Sequence, residues 1–311
     1  MKKIIKIVII TILVLVVYSL LPVIMLYFSP DPKPYSNEQA VDMLKNNTGE
    51  SFRFIIFGDN HAGLIFNDSA ALKMIQSINK DDRFRKLPID FVAILGDATL
   101  TGTVWDYRIF NRIRSLIKYP VITAIGNHDE DKGGVSLFKK YAGKAEFSFV
   151  NRNSYFIVMD NAVGDLIEEQ FANFENELKK SIDYKHRFVI LHKPPLSPYS
   201  QDWYAPEVNP WSLRFMNLCE KYKVDAVLAG HEHMLKEETL GGVKYITSGG
   251  GGMLTHLPDS EGGFLHYIIV RVHADYVDYE VRKNFPPLWE YLTYYLWKNI
   301  FYLLKDIFFN S

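Results

Sequence analysis

Five apolar runs in this 311-residue chain each lead into groups that can hold a metal ion. "FRFIIFG" is followed by Asp59, Asn60 and His61, and "FVAILG" by Asp97. "VITAIG" is followed by Asn127, His128 and Asp129. "RFVIL" runs into His192, and "VDAVLAG" is followed by His231, Glu232 and His233. One histidine in an apolar context is more often a core residue than a ligand. Five strand ends of this kind are different, because ligands of α/β sheets bind beyond the carboxyl ends of strands, where separate segments meet.

The donor types narrow the ion. Imidazoles and carboxylates with one amide oxygen suit Zn, Mn or Fe rather than Ca or a thiolate cluster. Asp59, His61, Asp97, Asn127, His192, His231 and His233 are too many for one ion and fit two ions that share a carboxylate. Two such ions about 3.5–4 Å apart clamp an in-line displacement at phosphorus, lowering the pKa of a bridging water and neutralising phosphate oxygens.

The elements that position these groups read as α/β. The five runs are nearly continuous in apolar residues, as strands covered on both faces are. Helical spacing lies between them, around Asp68–Lys80, Thr103–Ile117, Gly134–Tyr141, Glu168–Ile182 and Trp211–Tyr222. "NSYFIVMD" reads as another strand, and "GGVKYITSGG", "FLHYIIVRVHA" and "YVDYEVRK" as consecutive antiparallel strands. The expectation is a two-sheet β-sandwich flanked by helices.

The set "GDNH", "GD" at 96–97, "GNHD", "LH" at 191–192 and "GHEH" resembles, in order and spacing, the calcineurin-like metallophosphoesterases. The resemblance covers roughly residues 52 to 283. It implies that Asp59, His61 and His233 hold one metal, that Asn127, His192 and His231 hold the other, and that Asp97 bridges them. It also implies that His128 is no ligand but assists the leaving alcohol as acid or donor while a metal-bridging hydroxide attacks phosphorus. The substrate would be a phosphomonoester or phosphodiester. The pattern departs from the phosphoprotein phosphatases, which read "GDxxDRG" where this chain has "GDATLTG"; this leaves the orienting partner of His128 unassigned. It also lacks the tyrosine that the purple acid phosphatases carry shortly after the second Asp. A non-catalytic scaffold of this fold would be marked by lost ligands, and none of the expected ones is missing.

Other features carry less. The formal net charge of -1 gives no basic footprint, so no nucleic-acid partner or nuclease activity is expected. The single cysteine, Cys219, rules out an internal disulfide framework. His186, His256, His266 and His273 match no motif, and the glycine run 249–252 lacks a "GK[ST]", which makes a tight turn beside the site the better reading. Tyr199, Asp202, Trp203 and Tyr204, in a Pro- and aromatic-rich loop after His192, are candidate substrate contacts.

Both ends of the chain differ from its middle. Ile7 to Phe28 is 22 residues without a charge, long enough to cross a bilayer, and Lys2, Lys3 and Lys6 favour a cytoplasmic N-terminus. "SPDPKP" then breaks the helix and reads as a spacer. From about Leu288 to Phe309 a helix rich in Trp, Tyr and Phe carries an apolar stripe, suited to a membrane interface. The organisation expected is an anchor and spacer over 1–34, a catalytic domain over 35–284 outside the cytoplasm, and an amphipathic helix over 285–311. A catalytic domain held at the bilayer brings membrane-borne phosphoesters within reach.

Overall fold

The expected runs are strands, and they are nearly continuous in apolar residues because both of their faces are covered. In the computed structural model, which describes residues 14, 17, 20–33, 35–81, 87–163, 165–196, 210–255 and 257–284, two sheets lie face to face. One has the strand order β11-β10-β1-β2-β3 and the other β4-β5-β6-β7-β9-β8. The first comprises β1 (Phe52–Phe57), β2 (Ile89–Ile94), β3 (Val121–Thr123), β10 (His266–Val272) and β11 (Val277–Lys283). The second comprises β4 (Phe147–Asn151), β5 (Ser154–Val158), β6 (His186–Ile190), β7 (Ala226–Ala229), β8 (Leu235–Leu240) and β9 (Val243–Ser248).

Alternation along β1 shows the layers. Phe54 and Ile56 enter the cluster between the sheets with Phe91, Phe156, Phe188 and Leu228. Ile55 and Phe57 face the helical layer formed by Ile65–Asp81 and Val104–Arg114. The second sheet buries its outer face under helices Glu168–Lys180 and Pro210–Lys221. At the centre Phe54 stacks on Phe91 at 5.0 Å and meets Phe156 and Phe188 edge-on at 5.4 and 5.3 Å. Each such buried side chain contributes about 1.5–3 kcal/mol.

Strands β1, β2 and β3 are mutually parallel, as are β5, β6, β7 and β9. Their following loops meet along one edge, where the Gly58 N–H donates to the Ser248 carbonyl and the Gly251 N–H to the Gly58 carbonyl at 2.9 and 2.8 Å. One pairing differs from the sequence expectation. β9 does not pair with β10; it pairs with β7 and β8, in the other sheet. The connection 249–265, with its glycine run, crosses between the sheets past the site.

The segment before β1 is more than a spacer. Helix Asn37–Leu44 carries a Ser36 capping box, and Asn37 donates to the Thr123 and Lys144 carbonyls at 2.9 Å. Asp31 pairs with Arg108 and Arg112 at 2.9 Å. Val23 and Leu26, in the helical stretch ending at Phe28, are buried in the helical layer of the first sheet. Arg112 donates to the Tyr27 carbonyl, a favourable place for a cation at a helix C-terminus. Among the described residues no helix is long and apolar enough to cross a membrane. Half of the run Ile7–Phe28, the helix expected over Leu288–Phe309, the loop residues Tyr199, Asp202, Trp203 and Tyr204, and His256 lie outside the described residues.

Candidate metal centre

The loops that carry the donors are held in unusual backbone conformations. Asp59, His61, Asp97 and His231 all have positive φ, at 63°, 43°, 49° and 69°. Non-glycine residues adopt this region rarely, and such strain clusters at functional sites. The glycines before Asn127 and Asp97 have a local reason. A Cβ on Gly126 would stand 2.2 Å from Asp97 Oδ1, and one on Gly96 (φ 89°) would stand 2.3 Å from His192 Nδ1.

All seven expected donors gather in one place. Asp59, His61, Asp97 and His192 are almost fully buried, and Asn127 and His231 are half-buried. His233 Nε2 lies 3.6 Å from Asp59 Oδ1, and His61 Nε2 lies 4.0 Å from the same oxygen. On the other side His192 Nε2 lies 3.1 Å from Asn127 Oδ1 and 3.3 Å from His231 Nδ1. Asp97 Oδ2 stands between the groups, 3.6 Å from His61 Nε2 and 3.3 Å from His192 Nε2.

The chemistry of this donor set fits divalent cations. Ligands about 2.0–2.2 Å from one ion lie roughly 3–3.5 Å from each other, close to the spacing around His192. Backbone carbonyls fix the ring tautomers. His192 Nδ1 donates to the Leu95 carbonyl and His233 Nδ1 to the Leu254 carbonyl, both at 2.9 Å. Each ring therefore turns Nε2 to the other donors, as ligating histidines do when the second nitrogen is tied to a carbonyl.

The electrostatics call for positive charge. Burial raises the Asp59 carboxyl well above its ordinary value, with Asp97 and Glu232 adding to the rise against His192 and the His231 N–H. Burial also opposes charge on Asp97 and His192, yet each holds the other ionised. His192 is pushed up to about 9 and Asp97 is held below the usual carboxylate range. A proton on His192 Nε2 thus lies among Asp97, Asn127 and His231, where a cation would sit.

His128 lies beside both groups. Its backbone N–H donates to Asp97 Oδ1 at 2.8 Å, and its ring centroid is 4.5 Å from that of His61. It is close enough to His61 and Asp97 to be counted with them as a ligand triplet, so distance alone does not separate a ligand from an acid. Its orienting partner, unassigned in the sequence, is the Leu100 carbonyl, which accepts from Nδ1 at 2.7 Å.

Three further residues position the site: Asp129 and Asn60 lie inside "GNHD" and "GDNH" without an assigned role there, and Asn161 lies outside every motif. Asp129 is fully buried. Its carboxylate accepts from the Ala98 N–H, the Thr99 N–H, the Thr99 hydroxyl and the Gly126 N–H at 3.2, 2.8, 2.7 and 2.9 Å. It ties the Asp97 loop to the Asn127 loop, while burial and the Asp97 charge push it up to about 6. Asn161 Oδ1 accepts from the His192 N–H at 2.9 Å, and Asn60 donates to the Ala98 carbonyl at 2.9 Å. Of the glycine run, Gly249 approaches Asp59 so closely that a Cβ would lie 2.9 Å from Oδ2. His266 is buried between Ser248 and the Phe264 carbonyl, and His186 pairs with Asp225; both are structural.

Comparison with known proteins places these observations. The sequence profile of the calcineurin-like phosphoesterases matches residues 52–235. A probable cyclic nucleotide phosphodiesterase of Ruthia magnifica is 29% identical over 189 residues, 58% of this chain and 77% of that protein. A probable glycerophosphodiester phosphodiesterase of Arcobacter nitrofigilis is 28% identical over 155 residues, 46% of this chain and 56% of that protein. Among solved structures, purple acid phosphatase from yellow lupin matches with a TM-score of 0.59 at 17% identity, covering 81% of this chain and 53% of that one. GAP50, the anchor in the inner membrane complex of Plasmodium, matches with a TM-score of 0.59 at 13% identity, covering 76% and 85%. Both likenesses concern the fold.

Proposed function

Because the chain belongs to the calcineurin-like phosphoesterases, metal-dependent hydrolases of phosphoric esters, we propose that it hydrolyses a phosphodiester at a dinuclear centre bridged by Asp97. The observation that carries this reading is Asp97 Oδ2 within 3.6 Å of His61 and 3.3 Å of His192, one carboxylate common to two donor groups. Asp59, His61 and His233 would hold one ion and Asn127, His192 and His231 the other, with Mn, Fe or Zn suited to the donors. Bound there, the ions supply Lewis-acid charge and an activated water.

The chain's own residues do the rest. The Leu100 carbonyl fixes the proton on His128 Nδ1, so Nε2 is the atom that hands a proton to the departing oxygen. Asp129 keeps His128 and Asp97 in one frame, and the buried surroundings strengthen each electrostatic contact. A diester is favoured over a monoester by charge. A diester carries one negative charge and a monoester nearly two, and "GDATLTG" lacks the arginine of the phosphoprotein phosphatases. The diesterase names of the relatives support the same choice.

The location belongs to the same reading. The uncharged run that begins at Ile7 carries the chain through the bilayer before its last turns, Val23 to Phe28, dock on the catalytic domain; Lys2, Lys3 and Lys6 stay in the cytoplasm, and the catalytic domain works outside it. The tail helix, Leu288 to Phe309, lies in the interface. Two assays test the proposal. Purified full-length protein with Mn²⁺ should turn over bis(p-nitrophenyl) phosphate faster than p-nitrophenyl phosphate, and equal or reversed rates would reject the diester preference. Protease added to intact cells should cleave the catalytic domain; full protection would reject the orientation.

A further inference from the structure

Tyr27 joins three segments that lie next to the metal centre. Its ring packs edge-on against Trp105 at 5.8 Å, and its hydroxyl donates to Asp68. Asp68 also accepts the Gly63 N–H at 3.2 Å, two residues after His61. The turn at 63 is tied in addition to the helix that begins at Val104, because Asp106 stands so close to Gly63 that a Cβ there would lie 2.4 Å from Oδ1. Thr99 and Leu100, just before that helix, are the residues that hold Asp129 and His128. The end of the N-terminal helix, the turn after His61 and the start of helix Val104–Arg114 therefore form one corner at the mouth of the site.

That corner is apolar where it should be polar. Met25, Phe28, Leu64, Phe66, Val104 and Trp105 are all well exposed, Phe28 at 86% and Met25 at 65%. Exposed aliphatic and aromatic side chains gathered in one place on a soluble face mark an interaction surface. The buried side of the same helical stretch, Val23 and Leu26, is occupied by the domain itself. The docking is held by the Arg112 cap on Tyr27 and the ion pairs of Asp31.

We infer that this corner is a membrane-facing rim that delivers a lipid-borne phosphodiester to the metal centre. The inference rests on the hydrolase reading and names its substrate class: an amphiphile whose apolar part stays in the bilayer while its phosphate reaches Asp97 and His128. The occupant follows from continuity. The helix that ends in the rim continues the uncharged run from Ile7, so the point where the chain leaves the bilayer is the point where Met25 and Phe28 stand. At 1.5 Å per residue, Val23 to Phe28 places the docked turns within about 8 Å of that exit. A domain clamped there cannot turn the rim away from the lipid. In the reaction a water oxygen bonds to phosphorus and releases a proton to solvent, the P–O bond to one alcohol breaks, and that oxygen takes the proton from His128, which regains one from solvent.

The test uses the full chain reconstituted in phosphatidylcholine vesicles containing phosphatidylglycerol or phosphatidylethanolamine. Cys219 is buried, so single cysteines introduced as Phe66→Cys, Trp105→Cys or Ile182→Cys can be labelled selectively with a fluorophore. Ile182 is exposed beyond the helical layer of the other sheet. Labels at 66 and 105 should be quenched by nitroxide lipids and the label at 182 should not. Equal quenching at the three positions, or labels at 66 and 105 shielded by a cross-linkable second copy, would overturn the rim. In parallel, Leu64→Glu/Trp105→Glu should lower turnover of the vesicle esters relative to bis(p-nitrophenyl) phosphate by roughly tenfold, the scale of losing apolar contact with an interface. An unchanged ratio, or wild-type turnover of the soluble ester with neither vesicle ester cleaved, would overturn the substrate class. Failure of the wild type on bis(p-nitrophenyl) phosphate would instead strike the hydrolase reading, and the quenching would still decide the rim.

Discussion

Replacing Asp129 by Ala should damage the site without removing any proposed ligand. The carboxylate accepts four hydrogen bonds, from Ala98, Gly126 and twice from Thr99. A buried donor left without its partner costs about 1–3 kcal/mol, so four would cost about 4–12 kcal/mol. Part is returned, because the carboxylate is itself buried at a disadvantage. Its rise from 3.8 to about 6 corresponds to about 3 kcal/mol at neutral pH. Water entering the vacated space offsets more, and a net loss of about 4 kcal/mol is expected. Asp129→Asn should lie between, since its amide oxygen can still accept from Thr99 while its NH₂ faces the Ala98 and Gly126 donors. Turnover should fall with stability. Thr99 adjoins Leu100, whose carbonyl holds His128, and misplacing a catalytic group by about 1 Å costs on the order of 10²-fold. The assay pairs urea unfolding with kcat on bis(p-nitrophenyl) phosphate at saturating Mn²⁺. An Ala variant with wild-type midpoint and kcat would refute the clamp.

Two further outcomes are expected. His128→Ala should keep its metals and lose about 10²–10⁴-fold in kcat, the range of general acid catalysis; metal analysis showing an ion lost would make His128 a ligand instead. Burial pulls His266 from 6.5 down to about 4 against the Phe264 carbonyl. Its contribution is therefore full above pH 6.5 and is lost as pH falls through 4, about 2 kcal/mol of it between pH 7 and 5. Urea unfolding of metal-stripped wild type and His266→Gln at the two pH values should show that loss in the wild type alone, and parallel curves would count against it.

The strand ends could be read in the sequence because Asp59, Asp97, Asn127 and His231 each follow a glycine after an apolar run, and the structure shows why at two of them: a Cβ on Gly96 or Gly126 would collide with His192 or Asp97. What could not be read depends on partners far along the chain. The Leu100 carbonyl orients His128, yet every residue offers a carbonyl, so no side chain signals it. Asp129 was visible as an acid within "GNHD", but its four donors come from backbone folded around it. β8, "LKEETL", is charged and half-exposed at a sheet edge and lacks the apolar signal of the central strands. The sheet to which β9 belongs was settled by pairing with β7 across a long connection, which local pattern does not encode. The docking of Val23, Leu26 and Tyr27 was hidden because the uncharged run has no polar face to mark a buried side.

The shared carboxylate is tested most directly by metal content. Mass-spectrometric analysis of purified, metal-loaded protein should find about two divalent ions per chain in the wild type, as expected for a two-metal clamp. In Asp97→Ala both should be lost, because Asp97 Oδ2 stands within 3.6 Å of His61 and 3.3 Å of His192. A variant that retains its full complement would contradict the bridge and, with it, the dinuclear reading of the site.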